Sequence, residues 1–147
     1  MQLTSEERVA APVARVWALF ADPAALARCT PGCEQLTESG PDTYQATFSL
    51  GVGGIKGKYS GSLRLMDKVQ EQEYRIEISM AGAPGFVRGV GHFRFEPEGD
   101  ATRVSMSWDV AVGGLVAGVG QRMLGSVARM VTGQFFQNLA RELTLPV

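Results

Sequence analysis

The sequence has 147 residues, of which 45% are hydrophobic and 20% are charged, and its formal net charge is −1. This length suffices for one domain with a sizeable core, so we expect residues 1–147 to form a single domain. The near balance of 14 basic and 15 acidic residues gives no reason to expect nucleic acid as a partner. The sequence shows no signal-peptide pattern and no apolar run of 18 residues, which predicts a cytoplasmic protein without a membrane span.

The first thirty residues predict one strand and two short helices. The strand covers residues 1–9, and Pro12 opens the first helix, since proline is favoured in a first turn. The apolar face of this helix consists of Val13, Val16, Trp17 and Phe20. Asp22 followed by Pro23 is typical of a capped helix start, so a second helix should continue to about Arg28.

Six further segments alternate between apolar and polar residues, which predicts strands. These predicted strands cover residues 34–39, 43–52, 55–66, 74–80, 92–96 and 103–112. Alternation of this kind is typical of an antiparallel sheet with one dry face and one wet face. Gly53-Gly54 predicts a hairpin turn between the third and fourth strands.

The last thirty residues predict one long helix over residues 114–143, which can cover the dry face of the sheet. Its first half carries an apolar stripe with helical spacing, formed by Val116, Val119, Met123, Val127 and Met130. After Gly133 the apolar residues are Phe135, Leu139 and Leu143, which we expect to pack near Val16 and Phe20. A stripe of small and cationic residues should face outwards, formed by Gly118, Arg122, Gly125, Arg129 and Thr132. We expect Arg122 and Arg129 to dock a partner protein or anionic lipid headgroups.

This order of elements resembles the helix-grip fold of the START-like superfamily, which is an α+β class. It predicts a curved seven-stranded antiparallel sheet wrapped on a long C-terminal helix, two short helices after strand 1, and an internal cavity. The ligand-binding walls should be formed by Phe48, Tyr59, Ile78, Phe93, Met106, Trp108, Met123 and Val127. Gly57 and Gly61 share this apolar face, and we expect them to leave room beside the large residues. The cavity entrance should be bordered by Leu26, Pro31 and Phe86, with Gly53, Pro84 and Gly85 in the same group of turns.

At the level of motifs, the chain resembles the carbon monoxide dehydrogenase G-subunit family over nearly all its length. The matching segments include Asp22-Pro23, Cys29-Thr30-Pro31-Gly32-Cys33, Gly51-Val52-Gly53, Ala83-Pro84-Gly85-Phe86 and Gly120-Gln121-Arg122. Each motif is weak, but their order along the chain is specific. The first strand departs from the family pattern at Glu7, where the family usually has an apolar residue.

The resemblance implies a non-catalytic accessory protein of a molybdenum hydroxylase of the carbon monoxide dehydrogenase type. Such a protein would bind a hydrophobic small molecule, a quinone or another lipid, and would carry no covalently bound cofactor. It would help recruit the enzyme to the membrane or help transfer its electrons. Its expected location is the cytoplasm, with peripheral contact at the inner face of the membrane.

Two alternatives remain open from the residues themselves. An aromatase/cyclase-like enzyme in the same fold would need polar groups that converge inside the cavity. The candidates for that role are Glu7, Tyr44 and Tyr59. A docking adaptor without a ligand would instead have a collapsed core.

No catalytic residue and no metal site are predicted. His92 and Asp109 both fall on the wet side of their strands, away from the apolar face. Cys29 and Cys33 provide only two ligands, and the single histidine is distant in sequence, so we expect free thiols.

Overall fold

A computed structural model describes residues 1–51 and 56–144. In chain order the elements are β1 (Gln2–Val9), α1 (Val13–Phe20), α2 (Pro23–Cys29), β2 (Cys33–Gly40), β3 (Thr43–Leu50), β4 (Gly57–Val69), β5 (Glu73–Gly82), β6 (Gly85–Glu98), β7 (Ala101–Gly113), a 3₁₀ helix (Gly114–Val119) and α3 (Gln121–Thr144). The predicted turn at Gly53-Gly54, and with it the entrance residue Gly53, lies outside the described residues.

All seven strands belong to one antiparallel sheet with the order β1-β7-β6-β5-β4-β3-β2. Consecutive strands pair as hairpins, except that β1 pairs with β7 through partners such as Leu3 and Trp108. The predicted order of strands and helices, and the antiparallel sheet, are therefore confirmed. Several strands are longer than their alternation indicated, β6 most of all. Its first half contains Gly85, Gly89 and Gly91, which interrupt the alternation of apolar and polar side chains.

The two short helices begin as the sequence predicts. The side-chain Oδ1 of Asp22 accepts a 3.0 Å hydrogen bond from the backbone N–H of Ala24, and Pro23 occupies the first turn of α2. The cap satisfies a backbone donor that the helix leaves without a partner. In α1, Val16 and Phe20 are fully buried, so the apolar spacing of that helix determines which side packs inwards.

An aromatic cluster closes one end of the fold. Phe20 lies at its centre, with ring-centroid distances of 5.0 Å to Phe95 and 5.5 Å to Phe135. The rings of the cluster are Trp17, Phe20, Tyr74, Phe93, Phe95, Phe135 and Phe136. The end of α3 is fixed nearby, because Leu139 is buried and the Arg15 guanidinium donates to the Leu143 carbonyl oxygen at 2.6 Å. The predicted packing of Phe135 against the first helix is thus confirmed.

The prediction of one continuous helix from residue 114 was wrong. The chain forms the short 3₁₀ helix first, and Gly120 then separates it from α3 with φ 85° and ψ 157°. This backbone region is almost restricted to glycine, since a Cβ would be strained there. The side chains of α3 that face inwards are therefore determined by the helix start at Gln121 and do not follow the spacing of the preceding 3₁₀ helix.

The predicted outward stripe of small and cationic residues was also wrong as a unit. Gly125 is buried, and the Nη1 atom of Arg129 lies 3.5 Å from the position that a Cβ on Gly125 would occupy. Thr132 faces the interior of the fold. Arg122 and Arg129 are exposed, as expected, but they share their side of the helix with Met123 and Met130 instead of glycine and threonine.

Candidate functional site

A cavity of about 400 Å³ lies between the inner face of the sheet and α3. Every strand contributes to its wall. The residues from the sheet are Leu3, Cys33, Leu36, Phe48, Leu50, Tyr59, Leu63, Tyr74, Ile76, Ile78, Met80, Val87, Phe93, Met106, Trp108, Val110 and Val112. The helical side is formed by Leu124, Val127, Ala128, Val131, Thr132, Phe135 and Phe136. The aromatic cluster closes one end of the cavity.

Seven of the eight predicted wall residues line this cavity. They are Phe48, Tyr59, Ile78, Phe93, Met106, Trp108 and Val127. Met123 does not, and that prediction was wrong: its side chain is 46% exposed on the outside of α3. The break at Gly120 causes this difference, because it rotates the helix relative to the stripe predicted across it. Contact of the seven residues with a ligand stays a prediction.

Sequence reasoning missed the inward stripe of α3 that begins at Leu124. The stripe continues through Val127, Val131 and Phe135, a spacing of three or four residues that is visible in the sequence. The phase of the predicted helix depended on Val116 and Val119, which belong to a separate element. A helix start at Gly120 would have indicated the correct residues.

The cavity is almost wholly apolar. Its wall contains no charged side chain among the residues that the structure describes. Four lining residues carry a hydroxyl group: Thr30, Tyr59, Tyr74 and Thr132. The Thr30 hydroxyl donates to the Leu26 carbonyl oxygen at 2.7 Å. Burial raises the pKa of the Tyr59 phenol and also the pKa of the Cys33 thiol in the same wall. Both groups therefore stay protonated and neutral at neutral pH, so no side chain of the described lining offers an ionised ligand a counter-charge. The N-terminal ammonium of Met1, which is also a lining residue, donates to the Val110 carbonyl oxygen at 2.8 Å.

Polar groups do not converge inside the described cavity as an aromatase/cyclase-like enzyme would require. Glu7 points to the inner side of the sheet opposite Val104, but it is partly exposed and does not line the cavity. Tyr44 is buried and also absent from the wall. Only Tyr59 of the three candidates lines it, so the enzyme alternative lacks the constellation on which it depends.

The outer face of the sheet carries the remaining titratable candidates. His92 lies there with its Nε2 atom 3.2 Å from Glu73 Oε1, and Asp109 is exposed on the same face. In the described part of the chain, no group of three or more potential metal ligands comes together. Cys29 and Cys33 are both free thiols.

Glycines shape the wall in a way the sequence did not indicate. Gly57 and Gly61 do not leave open space, and that expectation was wrong. A Cβ on Gly61 would lie 1.9 Å from the carbonyl oxygen of Ser79, and one on Gly57 would lie 2.6 Å from Pro84. These two glycines permit close approach of the neighbouring backbone and turn. Gly91 in contrast accommodates the Trp108 indole, whose nearest atoms would lie 2.8 Å from a Cβ at position 91.

Two of the three predicted entrance residues, Leu26 and Pro31, line the cavity where α2 ends and β2 begins. Their position at an opening stays a prediction. Phe86 does not border the cavity, and that prediction was wrong: its ring packs over Gly113, and the Arg88 guanidinium lies 4.8 Å from the ring centroid. The turn is shorter than expected, since β6 already begins at Gly85. Alternation then directs Val87 inwards and Phe86 to the outer face.

The 3₁₀ helix forms part of the edge of the cavity. Val116 lines the wall and is 1% exposed, whereas the adjacent Leu115 is 75% exposed. The backbone of Val116 is hydrogen-bonded to Pro84, which is buried in the turn between β5 and β6. One short segment therefore has a side towards the cavity and a side towards solvent.

Comparison with known families matches residues 5–144 to the family model for CoxG, the G subunit of carbon monoxide dehydrogenase. The chain belongs to this family. No protein with a curated function matches the sequence. Among the helices of the described residues, none is both long and apolar enough to cross a bilayer.

Solved structures share the fold of this family member. A conserved protein from Geobacillus kaustophilus is 31% identical with a TM-score of 0.94, and the match covers 97% of this chain and 94% of that one. A START superfamily protein from Mycobacterium smegmatis is 15% identical with a TM-score of 0.74, covering 96% and 95%. A protein from Chromobacterium violaceum is 16% identical with a TM-score of 0.76, covering 99% and 98%. The START-like fold expected from the order of elements is thereby confirmed.

Proposed function

We propose that this protein binds a hydrophobic ligand in the cavity under α3 and carries it for a molybdenum hydroxylase of the carbon monoxide dehydrogenase type. The family consists of accessory proteins, and the fold is that of START-like proteins. A quinone is the ligand that family membership favours, and another lipid is the alternative within the same chemical class. The protein would act without catalysing a reaction itself, in the cytoplasm and at the inner face of the membrane.

The observation that carries this proposal is a cavity of about 400 Å³ whose described lining has no charged side chain. The volume is in the range of small-molecule sites, about 300–1,000 Å³. An apolar ligand gains about 25 cal/mol for each Å² that it removes from water, whereas an ionised ligand would lose hydration without meeting a charged side chain in the described lining. The few hydroxyl groups of the lining suit a ligand with a weakly polar carbonyl group better than a ligand with a carboxylate or phosphate group.

The first experiment identifies and then measures the ligand. Mass spectrometry of organic extracts from gently purified protein should reveal a quinone or another lipid. Titration of ligand-free protein with a short-chain ubiquinone analogue should quench the fluorescence of Trp108, which lines the cavity. Replacing Trp108 with Phe should remove most of the quenching. A protein that extracts empty and shows no saturable quenching would contradict the proposal.

Two substitutions on the same helix provide a matched pair. Val127→Phe adds a ring to the cavity wall, whereas Met123→Phe adds the same ring to the exposed side of α3. We expect Val127→Phe to weaken binding of the quinone analogue at least about tenfold, since a filled cavity cannot accept the ligand without strain. Met123→Phe should bind like the unmodified protein. Equal affinities for the two variants would place the ligand elsewhere.

Electron transfer from the hydroxylase to the bound quinone is measured in a separate experiment. We expect purified carbon monoxide dehydrogenase, supplied with carbon monoxide, to reduce the quinone that is bound to this protein. The quinone takes up two electrons and two protons and becomes a quinol. The absorbance change should require both the enzyme and its substrate. A quinone that is reduced at the same rate when free and when bound to this protein would argue that the protein does not serve this transfer.

A further inference from the structure

The C-terminal part of the chain has an unusual distribution of charge. Between Asp109 and Glu142 there is no acidic residue, although 14 of the 15 acidic residues of the chain precede this stretch. The same stretch contains three arginines, at positions 122, 129 and 141. It includes the 3₁₀ helix and most of α3, so the helix that covers the cavity is cationic while the chain as a whole is weakly acidic.

Two of these arginines share the outer side of α3 with two methionines. Arg122 and Met123 recur as Arg129 and Met130 after seven residues, which is close to two helical turns, so the pairs lie on one side of the helix. Met123 is 46% exposed and Met130 is 52% exposed. We call these four residues the Arg–Met face. It lies opposite the stripe that lines the cavity.

The positive charge of the Arg–Met face is not neutralised within the described part of the chain. Arg129 donates a 3.3 Å hydrogen bond to the hydroxyl of Ser126, and no carboxylate of the described residues lies within 4.0 Å of Arg129 or Arg122. Four other arginines of the fold do have a carboxylate within 4.0 Å, and one of them, Arg103, lies near three glutamates. The remaining arginines of the described residues lack such a partner as well, so the exposed methionines are what sets this part of α3 apart. The Arg–Met face therefore presents uncompensated guanidinium groups beside exposed apolar side chains.

We propose that the Arg–Met face docks on a bilayer that contains anionic lipids. Guanidinium groups bind phosphate well, and exposed methionine side chains can enter the boundary between headgroups and acyl chains. The face has no aromatic residue of the kind that dominates protein interfaces, and its positive charge complements an anionic headgroup layer.

The order of the elements connects this surface with the cavity. The 3₁₀ helix, whose Val116 lines the cavity wall, leads directly into the first turn of α3, where Arg122 and Met123 lie, so docking through that turn would hold the cavity edge close to the bilayer. This consequence rests on the proposed function, because it supposes that the cavity exchanges a lipid-like ligand. The docking itself does not depend on a ligand and can be measured with empty protein.

The test is sedimentation of ligand-free protein with phosphatidylcholine vesicles, prepared with and without phosphatidylglycerol. We expect binding only to the anionic vesicles, and weaker binding at high salt. Each arginine at an anionic surface contributes about fivefold, so the double variant Arg122→Glu, Arg129→Glu should lose at least about thirtyfold. The double variant Met123→Ser, Met130→Ser keeps the charge and should also bind several-fold more weakly, which distinguishes docking from charge attraction alone.

The matched control is the double variant Arg64→Glu, Arg94→Glu, which makes the same change in net charge on the exposed outer face of the sheet. It should retain most of the vesicle binding. The variants on α3 should keep the melting temperature, whereas the control should melt slightly lower, because positions 64 and 94 pair directly with Glu77 and Glu73. The proposal would be overturned if the control variant lost as much vesicle binding as the Arg122→Glu, Arg129→Glu variant. It would also be overturned if the unmodified protein bound vesicles equally well with and without phosphatidylglycerol. Unchanged vesicle binding with lost binding to carbon monoxide dehydrogenase would overturn it as well and would make the face a protein interface.

Quenching of Trp108 by the quinone analogue, measured in the same variants without vesicles, separates the two proposals. Normal quenching with failed vesicle binding of the unmodified protein would overturn docking and leave the carrier function intact. Failed quenching with normal vesicle binding would overturn the carrier function and leave docking intact.

Discussion

The backbone N–H of Val116 donates a 2.8 Å hydrogen bond to the carbonyl oxygen of Pro84. This bond ties the 3₁₀ helix to the turn between β5 and β6 and holds an apolar side chain in the cavity wall. The segment is bounded by Gly114 and Gly120, whose φ angles are 76° and 85°. An opening at this edge would need to break one hydrogen bond and rotate the backbone at these two glycines.

The first prediction concerns Gly120. Its φ and ψ lie in a region that is essentially restricted to glycine, whereas no atom of the described residues would obstruct a Cβ there. Gly120→Ala should therefore lower the free energy of unfolding by about 1–3 kcal/mol through backbone strain alone. Gly118→Ala is the control, because Gly118 is exposed, has no described atom near its Cβ position and has no positive φ. Urea denaturation should show a change within about 0.5 kcal/mol for the control.

The second prediction separates the closed end of the cavity from its wall. Phe20 is 1% exposed and contacts five other rings, so Phe20→Ala should lower the free energy of unfolding by about 3–5 kcal/mol. Phe48→Ala should cost only about 1–2 kcal/mol, since that ring already borders a void and lacks packing partners on one side. Chemical denaturation measures both. Equal losses would indicate that the cavity is filled in solution.

The third prediction concerns the support of Trp108. A Cβ at Gly91 would approach the indole to 2.8 Å, so Gly91→Ala must push the ring towards the cavity. We expect a shifted emission maximum for Trp108, measured in a Trp17→Phe background, and a several-fold loss of affinity for the quinone analogue. Gly40→Ala, where no described atom lies near the Cβ position, should change neither quantity. An unaltered emission spectrum for Gly91→Ala would mean that the indole is not held against this glycine.

The fourth prediction is a loss of stability at alkaline pH. Burial, and to a lesser extent the negative charge of Glu142, raises the pKa of Cys29 to about 11 from its ordinary value of 9.0. At a pH below the pKa of the Cys29 thiol in the unfolded chain, both the folded and the unfolded chain hold the proton. Burial of the neutral thiol then contributes fully to the free energy of unfolding. Above that pKa the unfolded chain ionises first, so the free energy of unfolding falls by up to about 1.4 kcal/mol per pH unit until the folded thiol ionises.

Urea denaturation between about pH 8 and about pH 10 measures this slope, which is proportional to the difference in bound protons. Cys29→Ala should lower the stability at neutral pH, because it leaves a small cavity, and should flatten the slope. Burial also raises the pKa of Tyr74, but that contribution is the same in both proteins and cancels. An identical slope in the variant would show that Cys29 does not ionise differently in the two states.

Local patterns in the sequence were sufficient for the architecture. The alternation of Tyr44, Ala46 and Phe48 predicts a strand with one inner face, and the structure places these residues as buried or partly buried. Asp22 and Pro23 indicate where α2 begins because a cap acts within three residues. These signals are short-range, so a single chain contains them in full. The element order then restricts the fold to few arrangements.

Some errors arose where the outcome depends on residues distant in sequence. The carbonyl oxygen that excludes a side chain at Gly61 belongs to Ser79, and no pattern around residue 61 indicates its approach. The assignments of Met123 and Phe86 failed for a different, local reason. A helix face and a strand face both depend on the residue at which the element begins, and a shift of one residue moves a side chain to another side.

The closed aromatic end and the glycine-bounded edge give the two ends of the cavity different freedom. The backbone amides around Phe20 should exchange their hydrogens only when the whole domain unfolds, whereas those of the glycine-bounded 3₁₀ segment should also exchange through local opening. Under the proposed function, a ligand that passes this edge would leave the cooperative stability of the fold intact. Substitutions at the edge would then alter which ligand enters, while those at the aromatic end are restrained by folding, so ligand preference could diverge among relatives that share one architecture.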